Sequence, residues 1–352
     1  MTINEQKLEN FVGKALTDLG GAWNAALVVL GDRLGLWEAM SGAGPLTPAE
    51  LGEKTDTDER YVREWLNSQA AGGYVEYDAT TETYLLPNEH AAVLADNNSG
   101  AGMMGGFDLF MATSKAEPQI RDRFKTGAGF GWHEHDCGVF SGTARFFRPN
   151  YMARLVDEWI PALEGVEPKL IAGAKVADIG CGHGVSTILL AQAYPNSEFI
   201  GFDYHQGSID SANEAAKAAG VDDRVTFRRG SAKDFDGSDY DLVTFFDCLH
   251  DMGDPVGAAA HVKTRLAKDG TWMVVEPYAG DKVEDNLNPV GRLYYAASTM
   301  LCTPHSKSQE VGLALGAQAG EGRLRKVIEG GGFTDVRCAT QTPLNLVLEA
   351  RA

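Results

Sequence analysis

The stretch Lys175-Val-Ala-Asp178-Ile-Gly180-Cys-Gly182-His-Gly184-Val-Ser-Thr187 places three glycines at alternate positions between an apolar run and a segment of helical periodicity. From this stretch to the end of the chain, short apolar runs alternate with helical segments, which is typical of β-α units around a parallel sheet. Glycine has no Cβ, so a ligand can approach the backbone closely at such a turn. The stretch therefore predicts an α/β domain with a ligand-binding turn after its first strand.

A nicotinamide dinucleotide is disfavoured as the ligand of this turn. Its fingerprint, G-x-G-x-x-G, requires a glycine at position 185, where this chain has Val185. Asp178 lies near the end of the predicted strand, and its carboxylate is suited to bind an amino group. We therefore expect a ligand that carries an ammonium group. Asp203 ends the next predicted strand, about 20 residues further on, which is the usual position of an acid that binds a ribose diol.

Two further loops are predicted to open at the same edge of the sheet. The segment Gly230-Ser231-Ala232 follows the third predicted strand, and the segment Asp247-Cys-Leu-His250 follows the fourth. In open α/β sheets, ligands bind outside the carboxyl ends of the strands where the strand order reverses. A ligand with adenine and methionine moieties fits this edge. We predict strands at residues 176–179, 198–202, 225–228, 242–246, 271–275, 334–339 and 344–348.

The N-terminal part of the chain has the pattern helix, helix, helix and hairpin. Apolar residues recur at helical spacings over residues 7–40, and Thr47-Pro48-Ala49-Glu50 is a capping box with proline at the first helical position. A hairpin is predicted at residues 74–86. The helix before it carries an apolar stripe formed by Tyr61, Val62, Trp65 and Leu66. This order predicts a winged-helix domain.

On these features the sequence resembles the class I S-adenosylmethionine-dependent methyltransferases. The resemblance covers Val176 to about Ala350, and with the winged-helix segment the chain closely resembles actinobacterial small-molecule methyltransferases of that two-domain type. It implies a Rossmann-like sheet of seven strands, the last antiparallel, and S-adenosylmethionine as the cofactor. The implied cofactor-binding residues are Asp178, Gly180, Cys181, Gly182, Gly184, Asp203, Tyr204, Gly230, Ser231, Ala232 and Asp247. Many relatives carry aspartate where Ser231 stands, so the adenine amino group is assigned to either Ser231 or Asp234.

The resemblance also divides the chain into three segments. Residues 1–90 are expected to form a winged-helix and dimerisation domain, and residues 91–170 a helical connector that covers the active site. Residues 171–352 are expected to form the methyltransferase domain, with an insertion at about residues 278–320 that acts as a substrate lid.

Leu249-His250-Asp251-Met252 is more remotely similar to a segment of plant-type phenolic O-methyltransferases, in which the histidine is the general base. Here Met252 stands in place of their tryptophan. An imidazole with an ordinary pKa is mostly neutral at pH 7.5, so His250 is a candidate base, with a structural histidine as the alternative. Glu276 closes the fifth predicted strand and either orients His250 or lies in solvent.

Aromatic and histidine side chains are the candidate contacts of the acceptor. Tyr294, Tyr295 and His305 lie in the insertion over the sheet edge, where aromatic side chains at such spacing are also typical of the hydrophobic core. The candidates are Trp132, His133, Phe147, Tyr294, Tyr295 and His305.

No metal is expected from the sequence. The segment Trp132-His133-Glu134-His135 has weak ligand spacing. A magnesium-assisted mechanism at Asp247 is disfavoured, because Glu276-Pro277 stands where enzymes of that type have an Asp-Asn pair.

The charge disfavours nucleic acid as a partner. The chain has 31 basic and 49 acidic residues, a formal net charge of -18, and residues 31–98 contain thirteen acids against four bases. A winged helix that reads DNA needs basic groups for the phosphates. We therefore expect the N-terminal domain to pair two chains in a homodimer. A transcriptional regulator that senses S-adenosylmethionine or a small ligand without turnover is the alternative.

Location and substrate class follow from composition and from the resemblance. At 352 residues the chain is long enough for about two domains. Five scattered cysteines suggest no disulfide framework, and no signal peptide or apolar run of 18 residues is present. We expect a cytoplasmic enzyme that does not bind membranes and methylates a small apolar or aromatic molecule on oxygen, with nitrogen as the alternative.

Overall fold

The computed structural model describes residues 3–351, which divide into two compact units. The smaller unit contains residues 3–111 and 145–149, and the larger unit contains residues 112–144 and 150–351. The segment 91–170, which we predicted to form one connector, is therefore shared between the two units.

The described chain is mostly helical up to residue 172, and strands alternate with helices over residues 175–277. The α-helices are α1 Glu5–Arg33, α2 Leu36–Met40, α3 Pro48–Thr55, α4 Glu59–Ala71, α5 Asn88–Leu94, α6 Met104–Ser114, α7 Glu117–Thr126, α8 Gly138–Arg154, α9 Ile160–Ala162, α10 Val166–Ala172, α11 Val185–Ala193, α12 Gln206–Ala218, α13 Pro255–Arg265, α14 Pro289–Ala297, α15 Thr303–Lys307 and α16 Glu321–Gly330. The strands are β1 Glu76–Asp78, β2 Thr83–Leu85, β3 Lys175–Ile179, β4 Glu198–Asp203, β5 Val225–Arg229, β6 Tyr240–Phe246, β7 Leu266–Pro277, β8 Asp335–Gln341 and β9 Asn345–Arg351.

The larger unit is built around a seven-stranded sheet with the order β5-β4-β3-β6-β7-β9-β8. Strands β5, β4, β3, β6 and β7 pair in parallel, whereas β9 pairs antiparallel with both β7 and β8. The expected α/β fold, with seven strands and an antiparallel last strand, is confirmed. The strand order reverses between β3 and β6, so the carboxyl ends of these two strands mark the crevice where such sheets bind ligands.

The predicted strands of this sheet are confirmed, and the largest difference lies at the start of β7. This strand begins five residues earlier than predicted, at Leu266. The register between β6 and β7 shifts between Tyr240 and Leu242. The extension contains Lys268-Asp269-Gly270, a polar sequence that is typical of a turn, which is why the sequence pattern did not include it.

The core of the larger unit surrounds the central strands. Phe245 of β6 packs edge-on against Trp272 of β7, with ring centroids 5.0 Å apart, and both side chains are fully buried. Helices α13 and α16 add Val262 and Ile328 to the same core. Strands that are covered on both faces have continuous apolar sequences instead of alternating ones, which agrees with the apolar runs that predicted these strands.

The smaller unit has the helices and hairpin of the predicted winged-helix plan. The capping box at the start of α3 is confirmed, because Oγ1 of Thr47 accepts from the backbone N–H of Glu50 and Oε2 of Glu50 accepts from that of Thr47. Strands β1 and β2 pair antiparallel, and Leu46 forms a further bridge to Tyr84. The order of elements over residues 5–94 therefore follows from local sequence.

One apolar stripe of the smaller unit differs from the prediction, and a second one is largely exposed. Tyr61 was predicted to share the apolar face of α4, but its side chain is 81% exposed, whereas Val62, Trp65 and Leu66 are buried. Between residues 8 and 23 of α1, the large apolar side chains are exposed by 48% to 78%. They are Leu8, Phe11, Val12, Leu16, Leu19 and Trp23. Periodicity predicts which face of a helix is apolar, but it cannot predict what covers that face.

The remaining segments are mostly helical. Helix α8 continues through a π-helical turn at Leu155–Trp159 into α9. The predicted insertion at 278–320 contains α14, a second π-helical turn at Ser298–Cys302, and α15. Within residues 3–351, no helix combines enough length and apolarity to cross a membrane.

Candidate active site

The glycine turn after β3 requires its glycines for two different reasons. Gly180, Gly182 and Gly184 all have positive φ, at 72°, 51° and 76°, a region that favours glycine. A Cβ at Gly184 would lie 2.4 Å from the Phe227 ring, and one at Gly180 would lie 2.9 Å from Sγ of Cys248. A Cβ at Gly182 would meet none of the described atoms within 4 Å. The turn is therefore packed at both ends and open at its centre.

Asp203 binds this open turn from the end of β4. Its Oδ2 accepts from the backbone N–H of Gly182 at 3.0 Å, and its Oδ1 accepts from that of His205 at 2.9 Å. Burial raises the pKa of this carboxyl group. Because each carboxylate oxygen has a second acceptor site, Asp203 can also accept hydrogen bonds from a diol.

Asp178 does not have the open carboxylate that the sequence predicted. Its side chain is 1% exposed, and Oδ2 accepts from the hydroxyls of Ser186 and Thr187 at 2.8 and 2.6 Å. Oδ1 accepts from the hydroxyl of Thr244 at 3.0 Å. Burial raises the pKa of Asp178 to about 6, although the three hydroxyls oppose this rise. In this arrangement the carboxylate joins β3 to the start of α11 and to β6.

The candidates for the adenine amino group form one turn after β5. The backbone N–H and the hydroxyl of Ser231 both donate to Oδ1 of Asp234, at 2.7 Å each. These bonds lower the pKa of Asp234. Gly230 precedes the turn and donates its N–H to the backbone oxygen of Asp203, and Ala232 packs against the core. The predicted residues of β4 and β5 therefore meet at one edge.

His250 lies between two carboxylates. Its Nδ1 is 2.5 Å from Oε2 of Glu276, and its Nε2 is 3.1 Å from Oδ1 of Asp251. All three side chains are buried. Burial by itself lowers the pKa of the imidazole, but the two carboxylates outweigh it and raise the pKa well above its ordinary value. The ordinary pKa assumed for His250 is therefore raised by its neighbours, and of the two alternatives for Glu276 the contact with His250 is the one present.

Asp247 is half-buried at the end of β6 and lies in a polar network with buried partners. Its Oδ2 accepts from the hydroxyl of Tyr151 at 2.7 Å, and its Oδ1 accepts from the side-chain amide of Asn345 at 2.9 Å. Asn345 in turn accepts from the side-chain amide of Asn150 at 2.6 Å. Burial raises the pKa of Asp247 to about 8, and the hydroxyl of Tyr151 opposes this rise. The sequence analysis missed Tyr151, Asn150 and Asn345, although Asn345 stood out as a polar residue in an apolar strand.

The segment around Trp132 is joined to the same edge within the larger unit. The indole Nε1 of Trp132 donates to Oδ2 of Asp251 at 3.0 Å, and its backbone N–H donates to Nδ1 of His305 at 3.2 Å. The ring of His305 stacks on Tyr204 at 5.8 Å, and that of His133 lies 6.5 Å from Tyr204. The structure thus brings three acceptor candidates together with one cofactor candidate.

The other sequence candidates are more dispersed. Tyr294 is buried and donates to the backbone oxygen of Leu344 at 3.1 Å, whereas Tyr295 is 37% exposed. Phe147 belongs to the smaller unit, where it packs edge-on against Phe146. Cys181 is buried in the glycine turn. The neighbours of Trp132 and His133 in the Trp132–His135 segment have other partners. Glu134 accepts from the backbone N–H of Gly131, and the ring of His135 packs on Phe130.

Comparison with known families identifies both halves of the chain. Residues 22–96 match the family described as Rv2258c-like winged HTH domain, and residues 171–328 match the family described as Methyltransferase domain. The chain joins a winged HTH domain to a methyltransferase domain. The glycine turn and the ends of β3 to β7 all lie in the matched methyltransferase domain.

The curated relatives of the chain include two methyltransferases. The 27-O-demethylrifamycin SV methyltransferase of Amycolatopsis mediterranei is 36% identical over 148 residues, which cover 40% of this chain and 52% of that protein. The O-demethylpuromycin-O-methyltransferase of Streptomyces alboniger is 25% identical over 352 residues, covering 95% of this chain and 88% of that protein. The chain spans between 24% and 52% of the length of three curated relatives that it matches.

Solved structures show the same fold over nearly the whole chain. Human N-acetylserotonin methyltransferase, solved in complex with S-adenosylmethionine, has a TM-score of 0.70 to this chain at 14% identity. The match covers 99% of this chain and 98% of the human one. At this identity the likeness establishes the architecture of the methyltransferase and winged HTH domains.

Proposed function

We propose that this chain transfers a methyl group from S-adenosylmethionine to an oxygen of a small apolar or aromatic molecule, with nitrogen as the alternative acceptor atom. One observation carries the proposal. The open centre of the glycine turn, Gly182, is bound by Asp203 from the end of β4, beside the point where the strand order reverses between β3 and β6. The names of the two relatives described above, both methyltransferases of O-demethyl compounds, support oxygen as the acceptor atom.

The chain's own groups divide the binding of the cofactor among them. S-adenosylmethionine supplies an electrophilic methyl group on a positively charged sulfonium. Asp203 has acceptor sites left for the ribose diol, while the buried carboxylate of Asp178 keeps the turn in shape through its three hydroxyl partners. We propose as cofactor-binding residues Asp178, Gly180, Cys181, Gly182, Gly184, Asp203, Tyr204, Gly230, Ser231, Ala232 and Asp247.

The acceptor is proposed to bind beside Tyr204. Trp132 and His305 are joined by a hydrogen bond, and the ring of His305 stacks on Tyr204, so these side chains form an aromatic wall near the sheet edge. Such a wall excludes water and holds the acceptor in line with the methyl group. Positioning the reacting atoms about 3–3.5 Å apart supplies most of the acceleration of a displacement of this kind. The proposed acceptor residues of the larger unit are Trp132, His133, Tyr294, Tyr295 and His305.

His250 and Glu276 are the candidate catalytic residues, with Glu276 orienting His250 through Nδ1. General-base action would require Nε2 of His250 to leave Oδ1 of Asp251, 3.1 Å away. A base is needed only if the acceptor hydroxyl is not already ionised. Positioning of donor and acceptor therefore carries the proposed reaction, and proton removal by His250 is an additional step for hydroxyl acceptors.

Calorimetry and a transfer assay test this function. We expect the purified chain to bind S-adenosylhomocysteine and to label one or more members of a panel of phenols, hydroxyquinones, carboxylic acids and amines from a methyl-labelled donor. Binding of NADH in place of S-adenosylhomocysteine would contradict the cofactor. Binding without transfer, together with salt-sensitive, sequence-specific retention of duplex DNA, would support the regulator alternative.

We also propose a homodimer, with residues 1–90 as the dimerisation domain, residues 91–170 as a connector and residues 171–352 as the catalytic domain. The exposed apolar side chains of α1 support the dimer, because so many neighbouring apolar groups in water are unfavourable. The acidic balance of residues 31–98 supports a partner other than nucleic acid. The cysteines, all of which are free thiols, support a reducing and hence cytoplasmic location.

A further inference from the structure

His135 is a buried histidine whose ring makes no hydrogen bond within the protein. Only 8% of the residue is exposed, and among residues 3–351 neither Nδ1 nor Nε2 of the ring has a hydrogen-bond partner. A buried polar atom without a partner is costly, because it has lost its bonds to water and gained none in exchange. Such an atom in a folded protein requires a specific explanation, and a contact with a ligand is one of them.

The surroundings of His135 keep its ring neutral. The ring packs edge-on against Phe130, with centroids 4.6 Å apart, and Phe130 belongs to an apolar cluster with Ala116 and Ile120. Burial is the main cause that lowers the pKa of His135 to about 4, and the nearby His305 lowers it further, whereas Glu134 raises it. One nitrogen of a neutral imidazole donates a hydrogen bond, and the other accepts one.

The ring lies beside the aromatic wall at which the acceptor is proposed to bind. The backbone N–H of His135 donates to the backbone oxygen of Trp132 at 3.1 Å and ends the 3-10 turn Trp132–Glu134. Trp132 is joined to His305, and the ring of His305 stacks on Tyr204. One turn of the chain therefore carries both a side chain of the wall and an imidazole without a partner.

We propose that the ring of His135 binds a second hydroxyl of the acceptor, remote from the oxygen that receives the methyl group. This inference rests on the proposed function, and it narrows the acceptor to an aromatic molecule with two hydroxyls. A hydroxyl can donate to the bare nitrogen or accept from the N–H, so it matches the neutral ring in either tautomer. A carboxylate can only accept, and it would favour the charged ring that burial disfavours. An acceptor without the second group leaves both nitrogens unpartnered.

His261 provides a matched comparison within the larger unit. Its half-buried ring also packs edge-on against a phenylalanine, Phe235, with centroids 4.6 Å apart. In contrast to His135, Nε2 of His261 lies 2.9 Å from the backbone oxygen of Phe235, so this ring has a partner in the protein. A histidine with a purely structural role is thus available as a control.

Paired acceptors test the inference on the full chain. The probes are the isomeric naphthalenediols, the two naphthols and the hydroxynaphthoic acids, with S-adenosylhomocysteine present for calorimetry and a methyl-labelled donor for transfer. We expect at least one diol to bind about tenfold or more tightly than either naphthol, because only the diol offers the ring a partner. His135→Phe should remove this preference by weakening diol binding and raising KM for the diol. Its affinity for the naphthols and for S-adenosylhomocysteine should be unchanged.

The control variant separates recognition from stability. His261→Phe should keep the preference for the diol but unfold at a lower urea concentration, because it loses a hydrogen bond. His135→Phe should be at least as stable as the unaltered chain, because phenylalanine removes two buried atoms that have no partner in the protein. Circular dichroism would reveal a misfolded variant, and the preference of the unaltered chain then decides the outcome.

Three results would overturn the inference. They are equal binding of diols and naphthols by the unaltered chain, an undiminished diol preference in folded His135→Phe, and tighter binding of the hydroxynaphthoic acids than of the diols. Binding of S-adenosylhomocysteine with transfer to diols and naphthols at equal kcat/KM would reject the role of His135 and leave the proposed function in place. Absence of both S-adenosylhomocysteine binding and transfer would reject the proposed function, and with it this inference.

Discussion

The backbone N–H of Gly182 donates to Oδ2 of Asp203 over 3.0 Å, which joins the turn after β3 to the end of β4. The bond spans 21 residues of sequence and places a carboxylate beside the open centre of the glycine turn. Because Asp203 also accepts from the N–H of His205, its orientation is determined before any ligand binds. Preorganisation of this kind lowers the entropic cost of binding.

Replacement of Asp203 tests its role as the ribose acceptor. We expect Asp203→Ala to weaken S-adenosylhomocysteine binding at least tenfold, because hydrogen bonds to a charged group contribute about 1.5–3 kcal/mol each. Isothermal titration calorimetry measures the change. Asp222→Ala, at an exposed acid of the same domain, should leave the affinity unaltered. Equal affinity of Asp203→Ala and the unaltered chain would reject the ribose assignment.

A matched pair of glycine variants separates backbone strain from loss of the cofactor site. Gly182 and Gly220 have φ of 51° and 67°, and a Cβ at either position would meet none of the described atoms within 4 Å. Alanine should therefore cost a similar amount of stability at both positions, about 1–2 kcal/mol. Only Gly182→Ala should weaken S-adenosylhomocysteine binding, which calorimetry on both variants would show. Equal losses of affinity would mean that the turn acts through stability alone.

Removal of His250 should destabilise the fold. The imidazole separates the buried carboxylates of Glu276 and Asp251, so His250→Ala leaves two buried charges without their partner. Breaking a buried ion pair in this way costs about 3–5 kcal/mol, which urea unfolding would measure. Glu284→Gln, at an exposed acid, should have no comparable effect. If His250→Ala instead keeps full stability and donor binding while kcat falls by about 10² to 10⁴, the general-base role predicted from the sequence would be supported.

Asp247 should make stability depend on pH. Its pKa is raised from 3.8 to about 8 by burial, so the folded chain binds this proton more tightly than the unfolded chain does. Stability from this group is present below pH 4 and is lost as the pH rises from about 4 to about 8. We expect the urea midpoint of Asp247→Asn to rise relative to that of the unaltered chain as the pH increases from 5 to 8.5.

The control for this prediction is Asp239→Asn, at an exposed aspartate with similarly positive φ, 57° against 49° for Asp247. Its midpoints should follow those of the unaltered chain at every pH. A constant difference between Asp247→Asn and the unaltered chain across this range would mean that Asp247 is ionised in the fold throughout.

The apolar face of α1 should mediate the proposed dimer. Leu16 is 64% exposed on α1, and Leu16→Glu would place a charge in a dimer contact of this face. Light scattering should give a dimer mass for the unaltered chain and a monomer mass for the variant. Leu287→Glu alters a leucine of the larger unit that is 76% exposed, and this variant should remain dimeric. A monomeric unaltered chain would contradict the dimer.

Most of the architecture could be predicted from local sequence. The strands of the sheet were found from apolar runs of four to six residues, the start of α3 from its capping box, and the turn after β3 from its alternate glycines. These signals are short in range, because strand burial, helix capping and positive φ each depend on a residue and its close neighbours. The residues after β4, β5 and β6 then share one edge, because carboxyl ends of parallel strands lie together.

The tertiary structure decided how the polar side chains of that edge are paired. Trp132 and Asp251 are 119 residues apart, Tyr151 and Asp247 are 96 apart, and His250 contacts Glu276 across 26. No local pattern encodes such pairs, so the sequence could not show that three hydroxyls bind Asp178 or that two carboxylates raise the pKa of His250. The sequence also predicted the apolar stripe of α1, but it could not predict which surface covers that stripe. The energy of a buried charge depends on every group packed around it, and only the folded chain brings those groups together.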